Sequence, residues 1–132
     1  MKLNQRDLEI LRILLTSDEP LTSTQIVRIG ESTGLTQSTS QVVTRKLVAA
    51  ELIEVRGITH SGNVLCRQFG ATEKAKEVIN QRFVESYRNY SNILSPRDAV
   101  EAMLKAEDDT EKRAQQIEEL ETLLKELQAK KN

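Results

Sequence analysis

The sequence predicts a mainly α-helical protein with one small β-hairpin. Apolar residues recur at helical spacing over most of the 132 residues, strand-forming residues cluster between residues 53 and 69, and the chain holds only five glycines and two prolines. A chain of this length and composition fits either one domain or a small domain with a helical extension. We therefore assign residues 1–71 to a domain that contains the hairpin and residues 72–132 to a helical region.

The composition excludes several kinds of site. One cysteine and one histidine cannot make an internal disulfide or a structural zinc site, and we expect no other cofactor. Charged residues interrupt every apolar stretch, so none reaches the roughly 20 residues that a membrane span needs. Residues 1–15 lack the apolar core and cleavage site of a signal peptide. We expect a cytoplasmic protein that binds no metal and no membrane.

The net charge is small, but the charges are distributed unevenly along the chain. The formal net charge is -1, which by itself does not indicate a nucleic-acid partner. Residues 36–91 carry eight basic and five acidic residues, whereas residues 92–132 carry seven basic and ten acidic residues. The middle of the chain is therefore mildly basic and the end is acidic, so local sequence has to decide the function.

Capping residues predict a helix near the start of the chain and a shorter helix after it. Asn4 can cap a helix whose apolar stripe ends near the turn at residues 17–20. The hydroxyl residues 22–24 can cap a second helix, and Gly30 and Gly34 mark its end. The first helix is therefore expected to be a core helix, and the second is expected to be short.

A third helix and a hairpin follow. Thr36 or Ser38 can cap a helix that runs to Ala50. Two short helices separated by a glycine-containing turn form the helix-turn-helix pattern. From residue 53 to residue 69 the pattern becomes strand-like on both sides of a turn at residues 61–63, which predicts a β-hairpin.

Three further helices are predicted after the hairpin. Thr72 can cap the first, Ser95 followed by proline begins the second, and Asp109 or Thr110 begins the third. The first carries an aromatic stripe and the third carries a leucine seam with spacing 3, 4, 3. We expect these side chains to join two copies of the chain: Ile79, Phe83, Tyr87, Tyr90, Ile117, Leu120, Leu124 and Leu127.

The third helix has two different sides. Helical spacing puts Val43, Leu47 and Ala50 on a side that faces the core, while Thr44 falls at the edge of the opposite side. That opposite side has amides, hydroxyls, a guanidinium group and methyl groups but no carboxylate, and such groups contact base edges in the major groove of DNA. The expected base-reading residues are Gln37, Ser38, Gln41, Val42 and Arg45.

Other polar groups on the third helix and the hairpin suit the DNA backbone. Contacts to phosphates position a protein on DNA without reading the base sequence. Hydroxyl, amide and basic side chains can make such contacts, and the expected residues are Thr36, Thr39, Lys46, Arg56, His60, Asn63 and Arg67.

The segment from residue 21 to residue 72 resembles the winged helix-turn-helix of bacterial repressors. The resemblance rests on the Thr/Ser/Gln-rich start of the third helix, the "TRKL" stretch, the "ELIEVRG" transition into the hairpin and the threonine-capped helix that follows. With the tail "IEELETLLKEL", the chain is most similar to the penicillinase and methicillin-resistance repressors, followed by MarR-like and PadR-like regulators.

This resemblance implies a fold and a function. The hairpin at residues 53–69 would be the wing, residues 37–50 the recognition helix, and residues 72–132 the dimerisation helices. The implied function is transcriptional repression by a homodimer on a dyad-symmetric operator of double-stranded DNA. Copper-responsive relatives carry paired cysteines, whereas Cys66 is alone, so metal sensing is not expected, and the inducer stays open.

Two other functions remain open at this stage. A protein-interaction adaptor would use the wing and the leucine seam to hold a partner. A ligand-gated MarR-like sensor would need a pocket beside Phe83 and Tyr87. We predict a non-enzyme, because one histidine, one cysteine and no glycine-rich phosphate loop leave every catalytic set incomplete.

Overall fold

Six α-helices and three strands occur within residues 2–130, which are the residues described by a computed structural model. The chain divides into two units, Met1–Arg82 and Phe83–Asn132. In chain order the elements are α1 (Gln5–Thr16), β1 (Leu21–Thr22), α2 (Ser23–Ile29), α3 (Gln37–Ala49), β2 (Ile53–Ser61), β3 (Val64–Ala71), α4 (Glu73–Tyr90), α5 (Pro96–Lys105) and α6 (Thr110–Lys130). The predicted fold class is confirmed: the protein is mainly α-helical with a small antiparallel sheet, in a winged helix-turn-helix arrangement followed by further helices.

Side-chain caps begin the helices of the first unit. Asn4 Oδ1 accepts a hydrogen bond from Asp7 N at 2.9 Å, and Asp7 Oδ2 accepts one from Asn4 N at 2.8 Å. Thr22 and Gln25 make the same reciprocal pair at the start of α2. Of the two predicted caps for α3, Thr36 is the one used, because its hydroxyl accepts from Thr39 N at 3.3 Å.

The sheet contains one strand more than the sequence predicts. Strands β2 and β3 form the predicted antiparallel hairpin, in which Ser61 lies opposite Val64. Strand β1, which was not predicted, pairs with the outer side of β3 and places Leu21 opposite Phe69. It is only two residues long, and Thr22 also caps α2. This short strand fixes the start of α2 to the base of the wing.

The core of the first unit takes apolar side chains from every helix and strand of that unit. Each fully buried leucine or isoleucine contributes about 1.5–3 kcal/mol relative to an exposed one. Leu47 of α3 is fully buried, as are Ile10 and Leu11 of α1. The buried set is Leu3, Ile10, Leu11, Ile13, Leu14, Leu21, Ile26, Leu35, Val43, Leu47, Leu52, Ile53, Phe69 and Ala75. This core supports α3 along one side.

In the second unit, the guanidinium group of Arg113 joins the start of α6 to the end of α5. Its Nε donates to the carbonyl oxygen of Leu104 at 3.0 Å, and a terminal nitrogen donates to the carbonyl of Glu107. Leu104 lies in the last turn of α5 and Glu107 lies just after the helix, so this arginine bonds to the backbone on both sides of the helix end. Among residues 2–130, no helix has the combination of length and apolar character needed to cross a membrane.

A polar cluster connects α1 with the turn between α2 and α3. The Thr33 hydroxyl donates to Glu9 Oε1, and Arg6 donates to Glu9 Oε2 at 2.7 Å. Both hydrogen bonds favour the ionised carboxylate, so they lower the pKa of Glu9, with the bond from Thr33 as the larger cause. Arg6 also donates to the carbonyl oxygen of Thr33 at 3.3 Å.

Glu9→Gln should lower the free energy of unfolding at pH 7, and this loss should shrink in acid. A carboxylate whose pKa is lower in the folded state stabilises fully above its unfolded pKa, and it loses that contribution as the pH falls through the folded value. Urea unfolding at neutral pH and at about pH 3 measures the difference. Glu31→Gln, which alters an exposed carboxylate of the neighbouring turn, is the control. A deficit independent of pH would contradict this assignment.

Candidate nucleic-acid interface

The outward side of α3 is exposed to solvent. Every side chain expected to read bases is exposed: Gln37, Ser38, Gln41, Val42 and Arg45. Helix α3 contains no aspartate or glutamate between residues 37 and 49. A solvent-exposed helix side normally mixes both signs of charge, so this surface is chemically unusual and compatible with a polyanion.

The inward side of α3 is wider than the sequence predicts. Val43 and Leu47 are buried as expected, but Thr44, which was placed at the edge of the outward side, is also buried. Thr44 lies one turn after Ser40 and three residues before Leu47, so the three share one packed stripe. The Thr44 and Ser40 hydroxyls have no hydrogen-bond partner among the described residues. Thr44 is therefore a core residue.

The start of α3 is held in place by two sets of hydrogen bonds. Gln37 Nε2 donates to Ser23 Oγ at 2.9 Å, which connects the first residue of α3 to the first residue of α2. The hydroxyls of Thr36 and Thr39 lie 3.1 Å apart at the same helix start. The backbone N–H groups of this first turn point outward from the helix end, where an anion is favoured by the helix dipole.

Strand β3 brings one arginine of the wing beside α3. A cleft of about 770 Å³ separates the two elements, and Gln41, Arg45 and Arg67 all line it. Arg67 is exposed. The structure thus brings Arg67 together with the side chains expected to read bases, whereas His60 and Asn63 lie at the exposed end of the wing.

The other wing arginine is engaged by the wing itself. Arg56 Nε donates to Glu54 Oε1 at 3.1 Å, and its guanidinium group also donates to the carbonyl oxygen of Ala71. The side chain passes over Gly70, where an added Cβ would lie 2.6 Å from Arg56 Cδ. Its position across the base of the hairpin therefore depends on a glycine.

Lys46, which was expected to contact the DNA backbone, makes an ion pair inside the protein. Its Nζ lies 2.6 Å from Asp7 Oδ2. The Asp7 side chain is 0% exposed and that of Lys46 is 40% exposed. Sequence reasoning missed this pair, although one signal was present: Asp7 occupies a position in the apolar stripe of α1, with Ile10 and Leu14 on the same side.

Sequence reasoning also missed an apolar surface on the outer part of the wing. Ile58, Val64 and Leu65 are exposed to solvent. Strand-forming residues are expected in a hairpin, but a hairpin that projects from the core leaves both of its sides open. The signal was the apolar character of both strands next to a two-residue turn.

The side chains expected to join two copies lie in different environments. Phe83, with 70% of its surface exposed, and the exposed Tyr87 and Tyr90 follow one another along α4. Ile79 instead packs partly against the core of the first unit. On α6, Ile117, Leu124 and Leu127 are exposed and Leu120 is half-buried.

Comparison with known proteins identifies the fold. No family model matches the chain, and no curated protein matches it. A PadR-like transcription factor from Bacteroides fragilis is similar in structure, with a TM-score of 0.51 and 15% identity over 67% of this chain and 89% of that one. MarR of Staphylococcus aureus, in a complex with salicylate and kanamycin, gives a TM-score of 0.50 and 14% identity over 98% of this chain and 76% of that one.

A third structure is similar over a shorter stretch. PerR from Streptococcus pyogenes gives a TM-score of 0.44 and 14% identity over 54% of this chain and 48% of that one. The chain thus spans about half the length of PerR. Together with the geometry above, the PadR-like and MarR structures show that this chain has the winged-helix fold.

Thr44→Val should raise the free energy of unfolding by about 1 kcal/mol, because it removes a buried hydroxyl without a partner while keeping the side-chain shape. The reverse exchange on the outward side, Val42→Thr, should change it by less than about 0.5 kcal/mol. Thermal or urea unfolding measures both. A loss of stability in Thr44→Val would contradict the assignment of a buried hydroxyl without a partner.

Proposed function

We propose that this protein is a sequence-specific transcriptional repressor that binds double-stranded DNA as a homodimer. The observation that carries the proposal is the exposed, carboxylate-free side of α3, which stands beside Arg67 of the wing. The resemblance of the sequence to penicillinase and methicillin-resistance repressors supports the repressor role. The PadR-like and MarR structures with the same fold are consistent with it.

In this proposal α3 lies in the major groove as the recognition helix. Arg45 can donate two hydrogen bonds to a guanine, and Gln41 or Gln37 can pair with an adenine. Val42 offers methyl groups to the methyl of a thymine, and Ser38 offers a hydroxyl to either kind of base. All five side chains are exposed on α3, so the helix can approach base edges without rearranging its packed side; Gln37 would first have to leave Ser23 Oγ.

The wing and the start of α3 would contact the DNA backbone. Arg67, His60 and Asn63 are exposed on the wing, and Thr36 and Thr39 lie at the helix start, where a phosphate is favoured. Two further groups of the expected set, Lys46 and Arg56, are bonded to other protein groups in the free chain. We expect them to contribute less, because each would first have to leave its partner.

Exposed apolar side chains supply a surface for a second copy. Phe83, Tyr87 and Tyr90 lie within one α-helix, and Leu124 and Leu127 lie within another. Large apolar side chains exposed along one helix are typical of an interaction site, and the commonest partner is an identical chain related by a two-fold axis. The operator would then be dyad-symmetric, with half-sites about 34–36 Å apart, which is one turn of DNA.

Selection of bound duplexes from a random DNA library tests the proposal directly. We expect enrichment of one palindromic sequence, and a footprint that covers both half-sites. Retention should fall steeply with salt, because phosphate contacts release counterions. Binding that is absent at every salt concentration would favour the protein-interaction adaptor.

Arg45→Ala should weaken binding to the selected site by about 1–3 kcal/mol and relax the preference at a single base pair, because it removes one bidentate base contact. The matched control is Arg67→Ala, which removes a guanidinium group from the other wall of the same cleft. That control should weaken binding to all sequences and flatten the salt dependence. Fluorescence anisotropy with the selected site and its single-base variants measures both. An unchanged preference in Arg45→Ala would contradict the assigned reading surface.

Replacing Phe83 and Tyr87 together by serine should convert a dimer into a monomer, because it removes two exposed rings from the surface that we assign to the second copy. Light scattering gives the mass in solution. Val64→Ser, which alters an equally exposed apolar residue of the wing, should leave the dimer intact. A double variant that keeps twice the chain mass would place the interface elsewhere.

A further inference from the structure

Helix α1 holds a charged group of α3 at one defined point. Asp7 Oδ2 accepts hydrogen bonds from Lys46 Nζ at 2.6 Å and from Asn4 N at 2.8 Å. Lys46 is the residue directly after Arg45 and lies one turn after Val42. The ion pair therefore joins α3 to α1 next to the residues expected to read bases.

The acidic side of this pair is held by hydrogen bonds to the helix cap. Asp7 is the third residue of α1, and its backbone N–H and carboxylate both bond to Asn4, which caps the helix. Its side chain is completely buried, so water does not compensate its charge. A carboxylate in this setting needs its cation, because removing one member of a buried pair leaves an unpaired charge in the interior.

The ion pair constrains the rotation of α3 in a way that apolar packing alone does not. Val43 and Leu47 hold one side of α3 against the core through apolar contacts, which are non-directional. The ion pair between Nζ and Oδ2 lies outside the packed stripe, so it attaches α3 to α1 at a second position around the helix. Because successive residues are separated by about 100° around a helix, fixing Lys46 also fixes the direction in which Arg45 leaves the helix.

We propose that Asp7 is a positioning residue for the recognition surface: through Lys46 it sets the rotation of α3, and Lys46 serves as its counter-ion and not as a phosphate contact. This inference rests on the proposed function, since the rotation of α3 matters because that helix reads bases. It gives a residue of α1, outside the helix-turn-helix, a defined effect on base selection.

The first arm of the test uses no DNA. Urea unfolding is measured for a double-mutant cycle that contains Asp7→Asn, Lys46→Met and the double variant. The control is Lys76→Met, which breaks an exposed ion pair with Glu73. We expect each single variant to raise the unfolding constant at least about tenfold, and the double variant to recover much of that loss. Amide exchange should accelerate along α3 more than along α2 in the double variant. Additive effects, or unchanged exchange in α3, would overturn the inference.

The second arm measures DNA binding with the selected duplex. Lys46→Met should reduce discrimination at the base pair read by Arg45, while the slope of log K against log salt stays that of the wild type. Lys46→Arg, which keeps a cation opposite Asp7, should retain more of the discrimination than Lys46→Met does. A slope lowered by about 0.9 in Lys46→Met would make Lys46 a phosphate contact and would overturn the inference.

The two arms separate the two proposals. If the wild type retains no duplex, the proposed function fails, and the positioning of α3 is then judged by the first arm alone. Should Lys46→Met fail to fold, the double variant without either charge takes its place in the second arm. Full discrimination in that folded variant would overturn the inference.

Discussion

The two sides of α3 constrain the rest of the first unit. Val43, Leu47 and the small residues Ser40 and Thr44 must face the core, and the opposite side must remain free of covering elements. Helix α1 and the sheet pack on the buried side, and β1 and the wing are connected so that they border the exposed side without closing over it. The cleft between α3 and β3 is the space that this arrangement leaves.

Features that depend on neighbours in the sequence could be predicted, because their hydrogen bonds span only three residues. The caps Asn4, Thr22, Thr36 and Ser95 are of this kind. The hairpin was also readable, since its turn and its strand-forming residues are adjacent in the chain. These local signals were sufficient to give the order of the elements and, with it, the fold class.

Features that depend on distant residues could not be predicted. Strand β1 exists only because Leu21 meets Phe69, and the Asp7–Lys46 pair joins residues 39 positions apart. The burial of Thr44 depends on the width of the packed side, which the elements around α3 determine and its own spacing does not. Helical spacing indicated which groups of the candidate interface are exposed. It did not show that Lys46 is bonded to Asp7 or that Arg56 is bonded to Ala71, because these partners are distant in the sequence.

Gly70 determines where the guanidinium group of Arg56 can lie on the wing. The Arg56 side chain crosses this glycine to reach the carbonyl of Ala71. A methyl group at position 70 would displace that flexible arm from the Ala71 carbonyl and leave Glu54 as the partner of its guanidinium group. The two positions therefore share one space, and we expect a chain with a larger residue at 70 to place the side chain of residue 56 elsewhere or to have a residue other than arginine there.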